Sequence, residues 1–201
     1  DCSSSQKMDL IAPDNRVIVS SCRRIYRSCQ MQGTCQIELG NKKVLINVDR
    51  INEKGIRTFK IVDQSFCRYG LGNASDRVKG YKKMCVDPFY SVAADLSIYN
   101  LGDVIYIPLL KGVVLPHGEL HSGYVIVRDS GSMIKGRGRF DFFTGFLGMS
   151  RSNPFFKIGL GGDRVFPEYY LIRGPEADQV RQARRFPLLT GPAAAHRLVR
   201  N

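Results

Sequence analysis

Three aspartates stand where a carboxylate could do proton-transfer work. Asp95 ends Ser91-Val92-Ala93-Ala94-Asp95; Asp129 ends Tyr124–Asp129 and precedes Ser130-Gly131-Ser132-Met133-Ile134-Lys135-Gly136; Asp141 lies in Arg139-Phe140-Asp141-Phe142-Phe143. Each closes a run with the composition of a buried strand. A carboxylate there is costly unless it is paired, hydrogen-bonded or working. Each also adjoins a turn signal, so the expectation is of strand ends that converge on one cleft. Taken singly, each has a plainer reading: a turn former for Asp129, a loop hydrogen bond for Asp95, and an exposed strand residue beside Arg137 or Arg139 for Asp141.

The elements that would position them read as mostly β. Residues 16–21 and 22–39 are rich in β-branched, aromatic and cysteine residues. Residues 43–49 alternate, and Asn52-Glu53-Lys54-Gly55 turns them into a hairpin with 57–62. Further short strands are expected at 92–95, 103–110, 124–129, 140–143 and 169–172. Short strands punctuated by Gly and Pro indicate a barrel or sandwich. One helix is expected from Pro175, with Glu176 and Asp178 in its first turn, Arg181, Arg184 and Arg185 in its last, and Pro187 as its stop. Residues 188–201 read as a loosely held basic tail.

The chain has 201 residues and a net charge of +12. Its length allows one domain with a real core. The charge calls for a polyanionic partner or surface, without choosing among nucleic acid, anionic lipid and an acidic polymer. No apolar run is long enough to span a bilayer, and a start at Asp1 reads as a mature form after removal of a signal peptide. All six cysteines, Cys2, Cys22, Cys29, Cys35, Cys67 and Cys85, fall in the first part of the chain. None has C-x-x-C spacing, so disulfides and an oxidising compartment are expected rather than a zinc knuckle. Their spacing does not fix the pairing.

Other patterns carry less. His117-x-Glu119-x-His121 would share a strand face and could hold zinc, but Pro116-His117-Gly118 looks like a hairpin tip, where solvated histidines are ordinary. Gly159-Leu160-Gly161-Gly162-Asp163 lacks the strand–loop–helix layout of a dinucleotide site. Lys135-Gly136-Arg137-Gly138-Arg139 could touch phosphates, but no stacking platform accompanies it. Neither a metal nor a cofactor is expected.

Two ordered stretches carry a family resemblance. Ala93-Ala94-Asp95, then Tyr99-Asn100-Leu101-Gly102-Asp103-Val104-Ile105-Tyr106, then Asp129-Ser130-Gly131-Ser132-Met133-Ile134-Lys135-Gly136, then Asp141-Phe142-Phe143 resemble the three-aspartate ("3D") domain of MltA-type lytic transglycosylases. Upstream, Gln30-Met31-Gln32-Gly33-Thr34-Cys35 resembles the Q-V-Q-G-S-G strand of the same proteins. The resemblance implies a mainly β chain built as a six-stranded double-psi β-barrel. Its single domain would run over 1–174, with barrel matches at about 16–62 and 89–145, followed by a short helix and tail at 175–201. It implies a monomer, secreted or periplasmic, acting on peptidoglycan glycan strands and not on nucleic acid. The site it implies has Asp141 as acid and then base, with Asp129 and Asp95 in support. Gln30, Gln32, Gly33, Thr34, Ser130, Gly131 and Lys135 would contact the glycan.

This chain departs from the family pattern in three ways. Ser132 and Met133 replace Gly and Ala, and the Asp129–Asp141 link is one residue longer, with Arg137-Gly138-Arg139 in the gap. The segment between the Gln-rich stretch and Asp95 is short, so a second domain is expected to be reduced, with a disulfide-tied loop between Cys67 and Cys85 in its place. The alternatives are a lysozyme-type muramidase and a non-catalytic wall-binding barrel.

Overall fold

Alternating apolar and polar residues organise the first part of the chain into antiparallel hairpins. The computed structural model describes residues 2–3, 6–74, 83–147, 152–160 and 166–187. The expected tail at 188–201, part of the glycine loop (161–163) and part of the segment between Cys67 and Cys85 lie outside the described residues. The chain divides into two compact units, Asp1–Leu71 and Gly72–Asn201.

In the first unit β1 (Lys7–Ile11) pairs antiparallel with β2 (Val17–Cys22). Then comes α1 (Arg23–Gln32), followed by the meander β3 (Thr34–Leu39), β4 (Lys42–Ile51) and β5 (Arg57–Ile61). The expected hairpin turn is present: Asn52 Oδ1 accepts the amides of Lys54 and Ile56. Leu10, Tyr26, Cys29, Ile37, Ile46 and Phe59 form the core.

Helix α1 corrects the reading of 22–39 as strand. Ile25, Tyr26 and Cys29 look like strand residues locally, yet Tyr26 and Cys29 are three apart and bury one helical face while Arg23, Arg24, Arg27 and Met31 stay exposed. Tyr26 meets Phe59 edge-on at 6.2 Å. Gly33, at φ 80°, ends the helix with its amide on the Cys29 carbonyl, a conformation that costs glycine little. The Cys29–Cys35 disulfide ties this end to β3, and Cys2–Cys22 ties the N-terminus to β2. Cys67 and Cys85 are also disulfide-bonded, so the expectation that all six cysteines are oxidised holds.

The second unit is built on five strands, β6 (Ser91–Ala93), β7 (Val104–Tyr106), β8 (Tyr124–Asp129), β9 (Asp141–Phe143) and β10 (Tyr170–Ile172). Their hydrogen-bonded order is β10-β7-β8-β6-β9, and only the β6–β8 pair is parallel. The molecule is thus mainly β. β7 stops at Tyr106 and a helical turn, Pro108–Leu110, follows; Pro108 has no amide for the ladder. Beyond it, a bridge between Val114 and Leu120 closes a tip at 115–119, as expected. A short helix, α2 (Pro154–Lys157), is capped by Asn153, whose side chain accepts the Phe155 amide. Helix α3 (Gly174–Ala183) forms where expected, with Pro175 in its first turn, and its Ala177 packs on Val104 and Ile126. Aromatic and aliphatic residues of β6–β8, with Tyr99, Phe140 and Phe155, fill the main core.

Candidate functional site

Register brings two of the three aspartates into one row. Ala93 of β6 faces Asp129 of β8 on one side and Asp141 of β9 on the other. At about 4.8 Å per strand, the two aspartate backbones lie roughly 10 Å apart. Asp95 follows on the turn after β6, where its carbonyl accepts the amides of Ile98 and Tyr99.

Their surroundings differ. Asp129 is half-buried, and its Oδ1 accepts the amides of Asn73 (2.6 Å), Ala74 (3.1 Å) and Ser130 (2.8 Å). Burial pushes its carboxyl up, the three amides oppose this, and the charge of Asp141 adds to the rise. Gly72 lets this cradle close. A Cβ there would stand 2.8 Å from the Arg128 carbonyl and 3.1 Å from the Asp129 carboxyl.

Asp95 is buried and fully engaged. Its Oδ2 accepts the Gly136 amide (3.0 Å), its Oδ1 accepts the amide and hydroxyl of Ser97, and Lys135 Nζ stands 3.6 Å away. The amides of Gly136 and Ser97 lead in holding its carboxyl at about 2. It is an ionised strut between the turn at 95–99 and the segment after Asp129.

Asp141 is exposed at the start of β9. Its sequence neighbours Phe140 and Phe142 pack into the core rather than around its carboxyl, since neighbours on a strand face opposite ways. Of the two, Asp129 is the one that burial affects.

Between them, the link is tied down. Gly138 donates its amide to the Tyr99 hydroxyl (2.9 Å), which in turn donates to the Tyr169 hydroxyl (2.8 Å). Phe140 packs against both rings, at 5.4 and 5.2 Å. Ser130 supplies an amide to Asp129, Gly131 accepts the Ile134 amide, and Lys135 reaches towards Asp95.

The upstream candidates lie in the other unit. Gln30 and Gln32 are on α1, not on a strand. Gln30 is half-buried and donates to the Tyr26 hydroxyl (2.9 Å), while Gln32 is exposed. Thr34 donates to the Leu71 carbonyl (2.8 Å), and buried Asn47 donates to the carbonyls of Gly33 and Leu71. Gly33 and Thr34 thus hold the end of α1 against β4.

His117, Glu119 and His121 belong to a partly buried polar cluster whose other members the sequence did not signal. Arg184, after α3, pairs with buried Asp87 and lies 3.5 Å from the centre of the Tyr90 ring. Tyr90 donates to Glu119 (2.6 Å), which also pairs with His117. His121 stacks on Tyr90, donates from Nε2 to the Phe89 carbonyl and accepts the Gly123 amide at Nδ1. Burial keeps it neutral by lowering its pKa. With both ring nitrogens engaged, His121 is no zinc ligand, and no group of three metal-ligating residues occurs among the described residues. Arg128, fully buried in β8, donates to the carbonyls of Cys85, Arg184 and Pro187. Most of these partners are far apart in sequence; the local clues were the His117-x-Glu119-x-His121 pattern and Arg128, a charge inside an apolar strand.

Residues 90–150 match the family model of the 3D domain. No curated protein matches the chain. Among solved structures it is similar to a membrane-bound lytic murein transglycosylase from Agrobacterium tumefaciens, at 16% identity and TM-score 0.48 over 82% of this chain and 55% of that one. It is also similar to MltA from E. coli, at 16% identity and TM-score 0.42 over 78% and 57%, and to the same protein with bound chitohexaose, at 16% and 0.41 over 71% and 52%. The chain spans about half the length of these proteins.

Proposed function

We propose, for a chain whose residues 90–150 match the family model of the 3D domain, that it cleaves the glycan strands of peptidoglycan as a lytic transglycosylase. The bond cut is the β-1,4 link between MurNAc and GlcNAc. Asp141 protonates the bridging oxygen. The resulting carboxylate takes the proton from the C6 hydroxyl of MurNAc, whose oxygen closes onto C1 and leaves a 1,6-anhydro end. Asp129, across the central strand, tunes the reacting group through its charge, and Asp95 keeps the frame. The observation that carries this reading is the row Asp129–Ala93–Asp141, which sets a half-buried carboxyl and an exposed one on either side of a central strand.

In this reading the five-stranded sheet of the second unit belongs to a six-stranded double-psi β-barrel. Within the second unit, Ser130, Gly131 and Lys135 would meet the glycan. The protein works as a monomer in the periplasm or outside the cell, where oxidised cysteines persist. Digestion of purified sacculi tests the function: mass spectrometry should find anhydro-muropeptides. Release of no muropeptide at all defeats it. Reducing ends would support a second reading, a lysozyme-type muramidase. The exposure of Asp141 favours that alternative, because water can then compete with the C6 hydroxyl.

A further inference from the structure

The link between Asp129 and Asp141 is a presentation device. From Met133 to Asp141 burial alternates: Ile134, Gly138 and Phe140 are buried and Gly136 is half-buried, whereas Met133, Lys135, Arg137 and Asp141 are exposed and Arg139 is half-buried. The inward positions are each fixed to the body of the unit. Asp95 takes the Gly136 amide, Tyr99 takes the Gly138 amide, and Phe140 is wedged against Tyr99 and Tyr169. Asp95 and Tyr99 lie on one turn, so one rigid feature holds the segment at two points. The intervening cations are therefore held out on a fixed backbone, and Lys135 keeps 66% of its side chain exposed despite its contact with Asp95. Cations held in place in advance lose less freedom when an anion binds.

We propose that Lys135, Arg137 and Arg139 make this protein selective for glycan strands that carry carboxylates. The proposal rests on the cleavage site assigned to Asp141. The three cations precede that residue in the same anchored segment, so the group they read must sit on the saccharide whose bond meets Asp141. Guanidinium groups suit carboxylates, which they can grip with paired N–H donors. Two sources offer that chemistry on peptidoglycan: the stem peptide, and the lactyl group of MurNAc once the stem is removed. A polymer of GlcNAc offers neither.

Equilibrium binding decides the matter, measured in the Asp141→Asn protein against three probes: stem-bearing strands, strands stripped of stems by an amidase, and the neutral GlcNAc hexamer. The expected result is tighter binding of at least one anionic probe than of the hexamer, with the advantage shrinking as salt rises. Which anionic probe binds tighter identifies the source. Arg137→Gln and Arg139→Gln together should weaken the anionic probe by roughly tenfold and leave the hexamer unchanged. Arg137→Lys with Arg139→Lys keeps the charge but loses the paired grip, so it should retain only part of the preference. Equal affinity for anionic and neutral probes overturns the proposal. So does a preference that survives the double change, or hexamer binding lost with it. Because the readout is binding, a wild-type protein that releases no muropeptides defeats the cleavage reading and leaves this one decided on its own result.

Discussion

At the scale of single residues, three carboxylates with one motif spacing have acquired three electrostatic characters. Asp141 is exposed and has room to meet a substrate. Asp141→Asn keeps the shape and removes the proton donor, so muropeptide release should fall by about 10²–10⁴-fold, read by mass spectrometry; full activity would remove Asp141 from the role of acid. Asp129 and Asp95 have opposite pH signatures. Folding raises the Asp129 carboxyl above its usual 3.8, so the protonated form is favoured and stability is lost as pH climbs from that value through the folded one. Asp129→Asn keeps an oxygen for the three amides and drops the charge. It should leave Tm at neutral pH equal or higher while activity falls, a trade common at working sites. Folding lowers Asp95 from 3.8 to about 2. Its contribution is therefore complete above the unfolded value and is lost as pH falls towards the folded one. Asp95→Asn should lower Tm at neutral pH and flatten the drop in Tm between about pH 4 and about pH 2, read by calorimetry; an unchanged acid limb would show that Asp95 bears no such load.

At the scale of elements, the question is what aims Asp141. Strand β9 has three residues and follows a segment of turns. The Tyr99 hydroxyl holds that segment by the Gly138 amide. Tyr99→Phe keeps the ring packing and leaves a buried N–H without its acceptor, which should cost about 1–3 kcal/mol. The denaturant midpoint should fall with an unchanged slope, and the ratio of anhydro to reducing ends should change as Asp141 loses its fixed bearing. A stability loss with the product ratio intact would make Tyr99 purely structural. Strands β4, β5 and β8 were legible in advance because β-branched residues alternate or cluster there. Helix α3 was legible because Pro175, Glu176 and Arg181 mark its ends. Helix α1 was not, since Ile25, Tyr26 and Cys29 favour strand locally and only burial against Phe59 and the tie to Cys35 make them helical. The aspartate frame could be read from spacing, but the surroundings of each carboxyl could not. Asp129 takes its cradle from Asn73 and Ala74, 56 and 55 residues away in sequence.

At the scale of the molecule, the two units are stabilised by different means. The second has a large aromatic and aliphatic core. The first has a small one, centred on Leu10, Tyr26, Cys29, Ile37, Ile46 and Phe59, and both Cys2–Cys22 and Cys29–Cys35 close loops within it. A unit of that size gains stability from cross-links that restrict its unfolded chain. A loop of the length closed by Cys2–Cys22, 20 residues apart, contributes about 3 kcal/mol in the chain-entropy account, and the short Cys29–Cys35 loop contributes less. In a domain this small, about 3 kcal/mol corresponds to roughly 10–20 °C in Tm. Reduction should therefore bring forward the melting of the first unit by about that interval, while the amides of β6 and β8 keep their protection from hydrogen exchange. Exchange measured with and without a thiol reads both units at once. Equal loss of protection in β3–β5 and in β6–β8 would show that the whole chain depends on the cross-links together. Loss confined to β3–β5 would tie the first unit to an oxidising compartment, in which such cross-links persist.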